Sequence, residues 1–313
     1  MARTALFARN TPGGVFTVDD LAEHPGEILF VKSGSGTDGA GYGKSPDSPV
    51  ATIDYAIGLC TAGAGDVIYV MPGHAETIVA AAGIDADVAG ISIIGLGKGS
   101  LKPTITMGTS TAATFRINAA NVTVRNLRFV NGIDSLVKVI NVNESYATIE
   151  DCDFVSSSTK EILSFINLAT TFDYLTVRRC RFEQPTDPEG TDGGADTGGI
   201  FLVDSEYVLV EDCWFSGNFE TAFIHNRTTA CKHLWVKNCW GIQALSGAEP
   251  FQLVAGATGA MLGGGFITPA EAATTEATLV GTVGDAFFVL QPGAFGNDGG
   301  AGGQGGIVIT AAS

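Results

Sequence analysis

A short phrase of alternating apolar and polar residues occurs five times in this chain, and each copy has a polar break before its last three residues. The copies are Val122–Phe129, Ala147–Phe154, Leu175–Phe182, Val208–Phe215 and Leu234–Gly241. The residue after the break is Leu127, Cys152, Cys180, Cys213 or Cys239, which gives spacings of 25, 28, 33 and 26 residues. Repeats of this period are typical of a solenoid, in which one supersecondary unit stacks on copies of itself.

The alternation within each phrase predicts a strand that buries every second side chain. In the first copy, Val122 and Val124 would face one way and Thr123 and Arg125 the other. The break falls at Asn126, Asp151, Arg179, Asp212 and Asn238. Asn and Asp tolerate left-handed backbone and bond to their own main chain, so we expect a bend of one or two residues, followed by a second short strand.

A third strand is predicted ahead of each phrase. Its members are Thr114–Ile117, Leu136–Ile140, Leu163–Ile166, Ile200–Val203 and Ala222–Ile224. Three strands and three turns in a unit of about 25 residues describe one coil of a parallel β-helix. The unit is too short for a crossover helix, which excludes a doubly wound sheet, and one phrase at a long period does not fit an antiparallel sandwich. The predicted fold class is therefore all-β, with three strands per coil.

The coil pattern resembles the pectate-lyase-like right-handed parallel β-helix superfamily over residues 64–293. The upstream segment strengthens the resemblance, because it carries a Gly-rich turn, a short helical pattern and a first coil ending in Pro-Gly. We assign residues 45–63 to a short capping helix that covers the open end of the solenoid, where unpaired backbone would otherwise invite aggregation. Residues 1–44 are assigned to an N-terminal arm that serves attachment or, as the alternative, adds an extra strand and the first edge of the solenoid. Residues 294–313 are assigned to a Gly-rich tail with a terminal strand.

The cysteines of the phrase are predicted to form a ladder of buried thiols. Stacked coils lie about 4.8 Å apart with parallel side chains, and this geometry suits a disulfide poorly. The thiols would act as small apolar filler. A zinc site is the alternative, although a linear stack does not provide a tetrahedron of ligands. The two structural ladders predicted are the cysteines Cys152, Cys180, Cys213 and Cys239, and the bend residues Asn126, Asp151, Asp212 and Asn238.

Polar residues at the ends of the predicted first strands are the candidates for catalysis. They are Asn118, Asn141, Asn167, Asp204 and His225. Asp204 and His225 on neighbouring coils would lie about 5 Å apart as an acid and a base. The alternative is a hydrogen-bonded ladder of turn residues without a catalytic role.

The segment 183–199 is the candidate for a metal site. Its carboxylates include the calcium candidates Asp187, Glu189, Asp192 and Asp196. Their spacing matches no calcium loop with defined ligand positions, which favours a solvated acidic loop. Residues 38–45 approach a phosphate-binding loop but have Asp38 where the pattern needs Gly. We expect no cofactor.

Composition restricts the partners. Asp and Glu number 33 against 17 Lys and Arg, a net charge of −16, and the sequence has no run of basic residues, which argues against nucleic acid. No apolar run approaches the length of a membrane span, and the apolar part of the N-terminus is too short for a signal peptide, so we expect synthesis in a cytosol. The three tryptophans, Trp214, Trp235 and Trp240, fall on adjacent coils and would serve sugar stacking, a subunit interface or the core.

Two functions from different classes remain open. The chain resembles bacteriophage β-helix proteins that serve as head decorations, spikes or fibres, which implies a non-enzymatic structural protein of the virion. It would be a homotrimer bound through its terminal segments to the major capsid protein or another virion protein. The alternative is a tailspike-type lyase or glycoside hydrolase acting on host surface glycan, with the Asp204 and His225 pair as its support.

Overall fold

A computed structural model describes residues 26–156, 160–169, 171–184, 198–226, 229–244 and 250–267, together with the backbone of two strands at 280–281 and 286–290. Over these residues the chain is a parallel β-helix, as predicted. The residues before 26 and after 290, which include the predicted Gly-rich tail, lie outside the described residues.

The strands are short, and most have three to five residues. In chain order they are β1 (Ile28–Val31), β2 (Val67–Val70), β3 (Ala75–Ile78), β4 (Ile84–Ala86), β5 (Ser92–Gly95), β6 (Thr104–Met107), β7 (Phe115–Ile117), β8 (Thr123–Arg125), β9 (Arg128–Asn131), β10 (Ile140–Val142), β11 (Thr148–Glu150), β12 (Asp153–Val155), β13 (Ser164–Leu168), β14 (Thr176–Arg178), β15 (Arg181–Glu183), β16 (Gly198–Leu202), β17 (Leu209–Glu211), β18 (Trp214–Gly217), β19 (Ala222–Asn226), β20 (Leu234–Gln243), β21 (Phe251–Gln252), β22 (Thr258–Ile267), β23 (Val280–Gly281) and β24 (Ala286–Leu290).

The strands stack in three parallel columns. The first column is β4, β7, β10, β13, β16, β19, β21 and β23. The middle column is β1, β2, β5, β8, β11, β14, β17, the first halves of β20 and β22, and β24. The third column is β3, β6, β9, β12, β15, β18 and the second halves of β20 and β22. Neighbouring coils are in register, so equivalent side chains form rows along the solenoid.

The bend between the middle and third columns is a residue with left-handed backbone. The φ angles are 55° at Asn126, 55° at Asp151, 52° at Arg179, 52° at Asp212 and 49° at Asn238. These are the five break positions of the sequence phrase. The bend turns the chain within two residues, so the strands on either side can be as short as three residues.

The core is built from the inward residues of the phrase. Phe129, Phe154, Phe182 and Phe215 are buried and stack along the axis, with ring centroids 5.1, 4.8 and 4.7 Å apart. The rings stack nearly parallel, since each coil presents the same residue at the same height.

A single short α-helix, α1 (Ile53–Ile57), lies at the N-terminal end of the solenoid in the described part of the chain. Thr52 caps the helix, because its hydroxyl accepts from the Tyr55 amide at 3.3 Å. Ile53, Ala56 and Ile57 are buried against the core. The segment predicted as an arm contains β1, which pairs with β2 and begins the middle column.

The first column departs from the predicted strands. Residues 136–140 were expected to form a strand, but β10 occupies Ile140–Val142 and Leu136 makes only an isolated bridge to Ile162. The turn that precedes this column varies in length from coil to coil, so alternation alone does not locate the strand. No helix of the described residues is long and apolar enough to cross a membrane.

Candidate functional site

The structure separates the predicted acid and base. Phe201, not Asp204, lies opposite His225 across β16 and β19, and the two rings are 4.7 Å apart. Asp204 lies beyond the end of β16 in a turn, where its φ is 45° and its carbonyl accepts from the Thr171 amide. The expected juxtaposition of Asp204 and His225 is therefore wrong, because the strand ends at Leu202, before the acidic residue is reached.

His225 is a buried neutral imidazole. Burial lowers its pKa from 6.5 to about 4, and the residue is 2% exposed. Its ring lies over Gly198, where a Cβ would be only 2.1 Å from the ring nitrogen Nε2. Within the described residues neither ring nitrogen has a hydrogen-bond partner. The imidazole is thus inaccessible to an external substrate.

The outward face of the first column carries a row of side chains in register, which we call the outer row. It consists of Asp85, Arg116, Asn141, Asn167, Phe201 and His225. Of the predicted polar ladder, Asn141, Asn167 and His225 belong to this row. Asn118 and Asp204 lie outside it, because each follows the end of its strand.

Two ionisable side chains in or beside the outer row, Lys138 and Asp85, have shifted pKa values. Burial, aided by the neighbouring Arg116, lowers the pKa of Lys138. Its amino group lies 3.3 Å from the Asn141 amide oxygen, which also accepts from Asn167 at 2.8 Å. Burial raises the pKa of Asp85, although Arg116 at 3.6 Å opposes the shift. A lysine and a carboxyl with displaced pKa values on one face are the usual marks of a candidate site.

The four phrase cysteines lie in one buried file, each at most 2% exposed. Every thiol repeats the same contacts, donating to the carbonyl two residues earlier at 3.3–3.4 Å and facing a carbonyl of the preceding coil at 3.6–3.8 Å. Burial raises the pKa of the Cys180 thiol well above its ordinary value. All six cysteines are free of disulfides, and burial closes this file of thiols to external substrates.

The described residues contain no cluster of His, Cys, Asp and Glu arranged to hold a metal ion. The calcium candidates Asp187, Glu189, Asp192 and Asp196 lie outside the described residues.

A charged corner runs along the bend between the middle and third columns. The carboxylate of Glu150 is 7% exposed and faces three arginines: Arg125 at 3.6 Å, Arg179 at 2.9 Å and Arg178. Asp151 is bonded to Arg179 at 2.7 Å and to Arg125 at 3.1 Å. The hydrogen bond from Arg179 is the main reason that the pKa of Asp151 is lowered. The charges alternate from coil to coil, so Glu150 and Asp151 are each paired with arginines across the coil boundary.

A tryptophan patch lies towards the C-terminal end of this corner. We define it as Trp214, Trp235, Trp240 and Ile242, whose exposures are 38%, 42%, 49% and 43%. Trp214 lies opposite Trp240 across β18 and β20, and Trp235 is on the middle-column side of the Asn238 bend. Lys237 places its amino group 6.0 Å from the Trp235 ring centroid. The option of core filling is excluded for all three tryptophans.

An aromatic ladder of exposed rings precedes the middle column and was missed from the sequence. It consists of Tyr146, Tyr174, Tyr207 and His233, with ring centroids 4.6, 4.8 and 4.5 Å apart and planes within 7° of parallel. Its signal was available, since an aromatic residue stands directly before each of the last four phrases.

Comparison with known proteins identifies the family. Residues 85–247, just over half of the chain, match the family described as the right handed beta helix region, and the chain belongs to that family. No curated protein sequence matches the chain significantly.

Solved structures agree on the fold. The chain is similar to pectate lyase Pel9A, with a TM-score of 0.63 and 12% identity over 85% of this chain and 76% of that one. It is also similar to a rhamnogalacturonan lyase, with a TM-score of 0.50 and 14% identity over 78% and 74%. At such identities the similarity establishes the predicted pectate-lyase-like fold and leaves the activity open.

Proposed function

We propose that this chain is a non-enzymatic structural protein of a bacteriophage particle, and that its tryptophan patch is a contact between subunits of a homotrimer. The observation that supports the subunit interface is the exposure of all three tryptophans, at 38–49%, on adjacent coils. Aromatic residues are enriched at protein interfaces, where a few of them supply most of the binding energy. Exposed apolar patches of this kind are uncommon on monomers unless they serve binding.

The surroundings of the patch support a contact with protein. The Trp240 ring covers Gly265, where a Cβ would lie 2.7 Å from the ring, so the side chain is held against the solenoid surface. Ile242 continues the same strand as an exposed apolar residue. A preorganised apolar surface loses little entropy on association. The virion itself would be bound through the terminal segments, with the major capsid protein or another virion protein as partner.

Light scattering after size-exclusion chromatography tests the oligomer. The wild-type chain should have three times the mass of one chain, and the double variant Trp235→Ser, Trp240→Ser should be a monomer with an unchanged circular dichroism spectrum. Tyr42→Ser, at an exposed aromatic residue near the other end of the solenoid, is the control and should remain trimeric. A monomeric wild type, or a double variant that stays trimeric, would overturn the interface.

The virion assignment needs a separate measurement. Antibodies against the chain should label particles purified from the organism that encodes it, and the protein should sediment with intact particles. Its absence from such particles would remove the structural role.

A second function is favoured by a different observation, the lowered pKa of Lys138 beside Arg116. We propose, as the alternative, a lyase acting on uronate-containing glycan at the outer row. Lys138, in its deprotonated form, would remove the proton next to the uronate carboxylate, whose negative charge Arg116 would stabilise. The electron pair then forms a carbon–carbon double bond, and the glycosidic oxygen leaves and takes a proton from water.

This alternative predicts an unsaturated product. Incubation with acidic polysaccharides should increase ultraviolet absorbance, and Lys138→Met should abolish the increase. Lys232→Met, which removes a half-exposed lysine on another turn, is the matched control. If no acidic polysaccharide gives an unsaturated end, or if both variants behave alike, the lyase is ruled out.

A further inference from the structure

The turn between the middle and third columns is longer in the first two coils, ahead of the charged corner, and between β2 and β3 it has the four residues 71–74. Between β8 and β9 the chain needs only Asn126 and Leu127 to turn, and the later coils up to β18 use two residues as well. Between β5 and β6 it uses eight residues, 96–103, which include a 3₁₀ helix at Gly99–Leu101. We call this segment the Gly-Lys loop. A departure from an otherwise repeated local rule is where a specific function is expected.

The Gly-Lys loop is fixed in place by hydrogen bonds. The side-chain amide of Asn126 donates to the Gly95 carbonyl at 2.7 Å and to the Gly97 carbonyl at 3.1 Å. The Gly73 amide donates to the Leu101 carbonyl at 2.7 Å. Gly95 is required for the close approach, because a Cβ there would lie 2.1 Å from the Asn126 carbonyl oxygen. The loop is therefore preorganised and does not depend on a ligand for its shape.

An open cleft of about 780 Å³ lies between the loop and the next coils of the corner. Its walls combine glycine backbone with charged and amide side chains. The lining residues that matter for recognition are Lys98, Lys102, Arg125, Asn126, Asp151 and Asp153.

The aspartates of the cleft are already neutralised. Asp153 lies 3.0 Å from Lys102 and 3.5 Å from Arg128, while Asp151 is bonded to two arginines. Lys102 is 9% exposed and also donates to the Asp151 carbonyl at 2.7 Å, so its position is set by the corner. These carboxylates therefore present little unbalanced negative charge to a ligand.

Positive charge exceeds negative charge around the cleft. Three cations line it, Lys98, Lys102 and Arg125, against the two carboxylates Asp151 and Asp153. Behind this lining, the cations Arg128, Arg178 and Arg179 are paired with Asp153, Glu150 and Asp151. The whole chain has 17 Lys and Arg and a net charge of −16, so over a third of its cations lie at this corner. The stacking of coils brings together cations that lie within an 82-residue stretch of the sequence, from Lys98 to Arg179.

Lys98 is the cation of the cleft that is available for a ligand. It is exposed between Gly97 and Gly99, with extended backbone, and its side chain makes no hydrogen bond or ion pair with any part of the chain that the structure describes, while its carbonyl accepts from the Leu101 amide at 3.1 Å. A lysine held on a rigid loop opposite a row of arginines provides a charge and three donors for an oxygen-rich anion.

We propose that this cleft binds a compact oxyanionic group, the sulfate, phosphate or carboxylate of a small polar molecule or of a glycan unit. Lys98 would bind the anionic oxygens, and Arg125, which is paired with Asp151 but half-exposed, would add a second donor. The Asn126 amide would keep the loop in the binding position. The proposal concerns a surface apart from the tryptophan patch and from the outer row, and its outcome is independent of either proposed function.

Isothermal titration calorimetry at low ionic strength tests the site on the full chain. Separate titrations use inorganic sulfate, inorganic phosphate, a hexuronate and, as a neutral control, the corresponding hexose. Lys98→Gln should weaken anion binding roughly two- to fivefold, the range expected for one exposed charge contact. Asn126→Gly keeps the left-handed bend but removes the clamp on the loop, and should weaken binding although Lys98 is retained.

Lys232→Gln is the matched control, since it removes one half-exposed positive charge on a different turn. Saturable binding of an anion that Lys98→Gln weakens and Lys232→Gln does not would support the site. A response to hexuronate alone identifies a carboxylate ligand, and a response to sulfate or phosphate alone identifies those esters. No saturable binding of any anion, equal binding of the hexose, or equal loss in both lysine variants would overturn the proposal.

Discussion

The two turns on either side of the middle column both contain a residue with left-handed backbone, but the type of side chain at that residue differs between them. The bend after the column has φ angles of 49–55° at asparagine, aspartate or arginine. The turn before it has φ angles of 56–63° at the residues of the aromatic ladder. Asn and Asp visit this left-handed region readily, whereas a bulky aromatic residue there is uncommon. The comparison shows that stacking between coils offsets backbone strain when residue type does not.

The energy of aromatic stacking is similar in size to the cost of left-handed backbone. A left-handed residue other than Gly costs about 1–2 kcal/mol. A stacked aromatic pair contributes about 0.5–1.5 kcal/mol beyond burial, and Tyr174 has a ring on both sides at 4.6 and 4.8 Å. Two stacks therefore offset the strain at an inner position. At the bend, hydrogen bonds and ion pairs between side chains, such as Asn238 to Asp212 at 2.6 Å, have the equivalent role.

The largest effect is expected from removing a charge at the charged corner. Glu150→Gln removes a nearly buried carboxylate that faces three arginines, which then repel each other. We expect a loss of about 2 kcal/mol in the free energy of unfolding, below the value for a fully buried pair because the arginines are half-exposed. Urea denaturation measures the change.

Glu211→Gln is the matched control for that variant. Glu211 occupies the equivalent position two coils later and forms no ion pair with the described residues. It should change stability by less than about 0.5 kcal/mol. Equal losses in the two variants would mean that the ion-pair network at Glu150 contributes nothing specific.

The aromatic side is broken by Tyr174→Ala, for which we expect a loss of about 1–2 kcal/mol from two ring contacts. Tyr146 has one stacked neighbour, so Tyr146→Ala should cost about half as much. Tyr174→Gly sharpens the comparison, because glycine also loses the stacking but relieves the left-handed strain, and it should be less destabilising than alanine. Urea denaturation of the three variants gives the order, and a glycine variant less stable than the alanine variant would contradict the strain argument.

The same two turns show how much of the molecule was predictable. The bend, the inward phenylalanines and the cysteine file follow from alternation and spacing, because every copy of the phrase has the same length. The aromatic ladder escaped detection because Tyr146, Tyr174 and Tyr207 precede the phrase, in a place where a turn residue was expected. The outer row was only partly found, since the turn ahead of the first column varies in length and hides the register.

The candidate site was less predictable than the fold. The sequence predicts that Asp204 lies beside His225, because both stand at the ends of predicted strands. In the structure the residue opposite His225 is Phe201, three residues before Asp204, so the predicted contact is not formed. The Gly-Lys loop and the arginines of the corner are far apart in sequence, and only the stacking of coils brings them to one cleft. The spacing of residues in the sequence predicts where each residue lies within its coil. It does not predict which charged residues of different coils lie close together.

Acid should weaken the charged side selectively. The pKa of Asp151 is below its ordinary value of 3.8 in the folded chain, chiefly because Arg179 donates a hydrogen bond to it. The stabilisation is therefore present above the unfolded value and is lost as the pH falls below about 4. Asp151→Asn, which keeps a residue suited to the bend, should flatten this part of the curve of melting temperature against pH. Tyr174→Phe should leave the acid limb unchanged, and an unaltered acid limb in Asp151→Asn would contradict the assignment.

Alkali should weaken the aromatic side, and this is the smallest effect expected. Burial by its neighbours, followed by repulsion from the adjacent Tyr146 and Tyr207, raises the pKa of Tyr174 above its ordinary value of 10.0. The contribution of the neutral phenol is complete below pH 10.0 and is lost as the pH rises towards the folded pKa, because the unfolded chain ionises first. Tyr174→Phe keeps both ring contacts and removes the ionisable group. Its melting temperature should therefore decline less than that of the wild type above pH 10.0. The melting temperature of Asp151→Asn, the control, should decline as that of the wild type does. Parallel curves of melting temperature against pH for all three proteins would show that the stacked phenols do not influence one another.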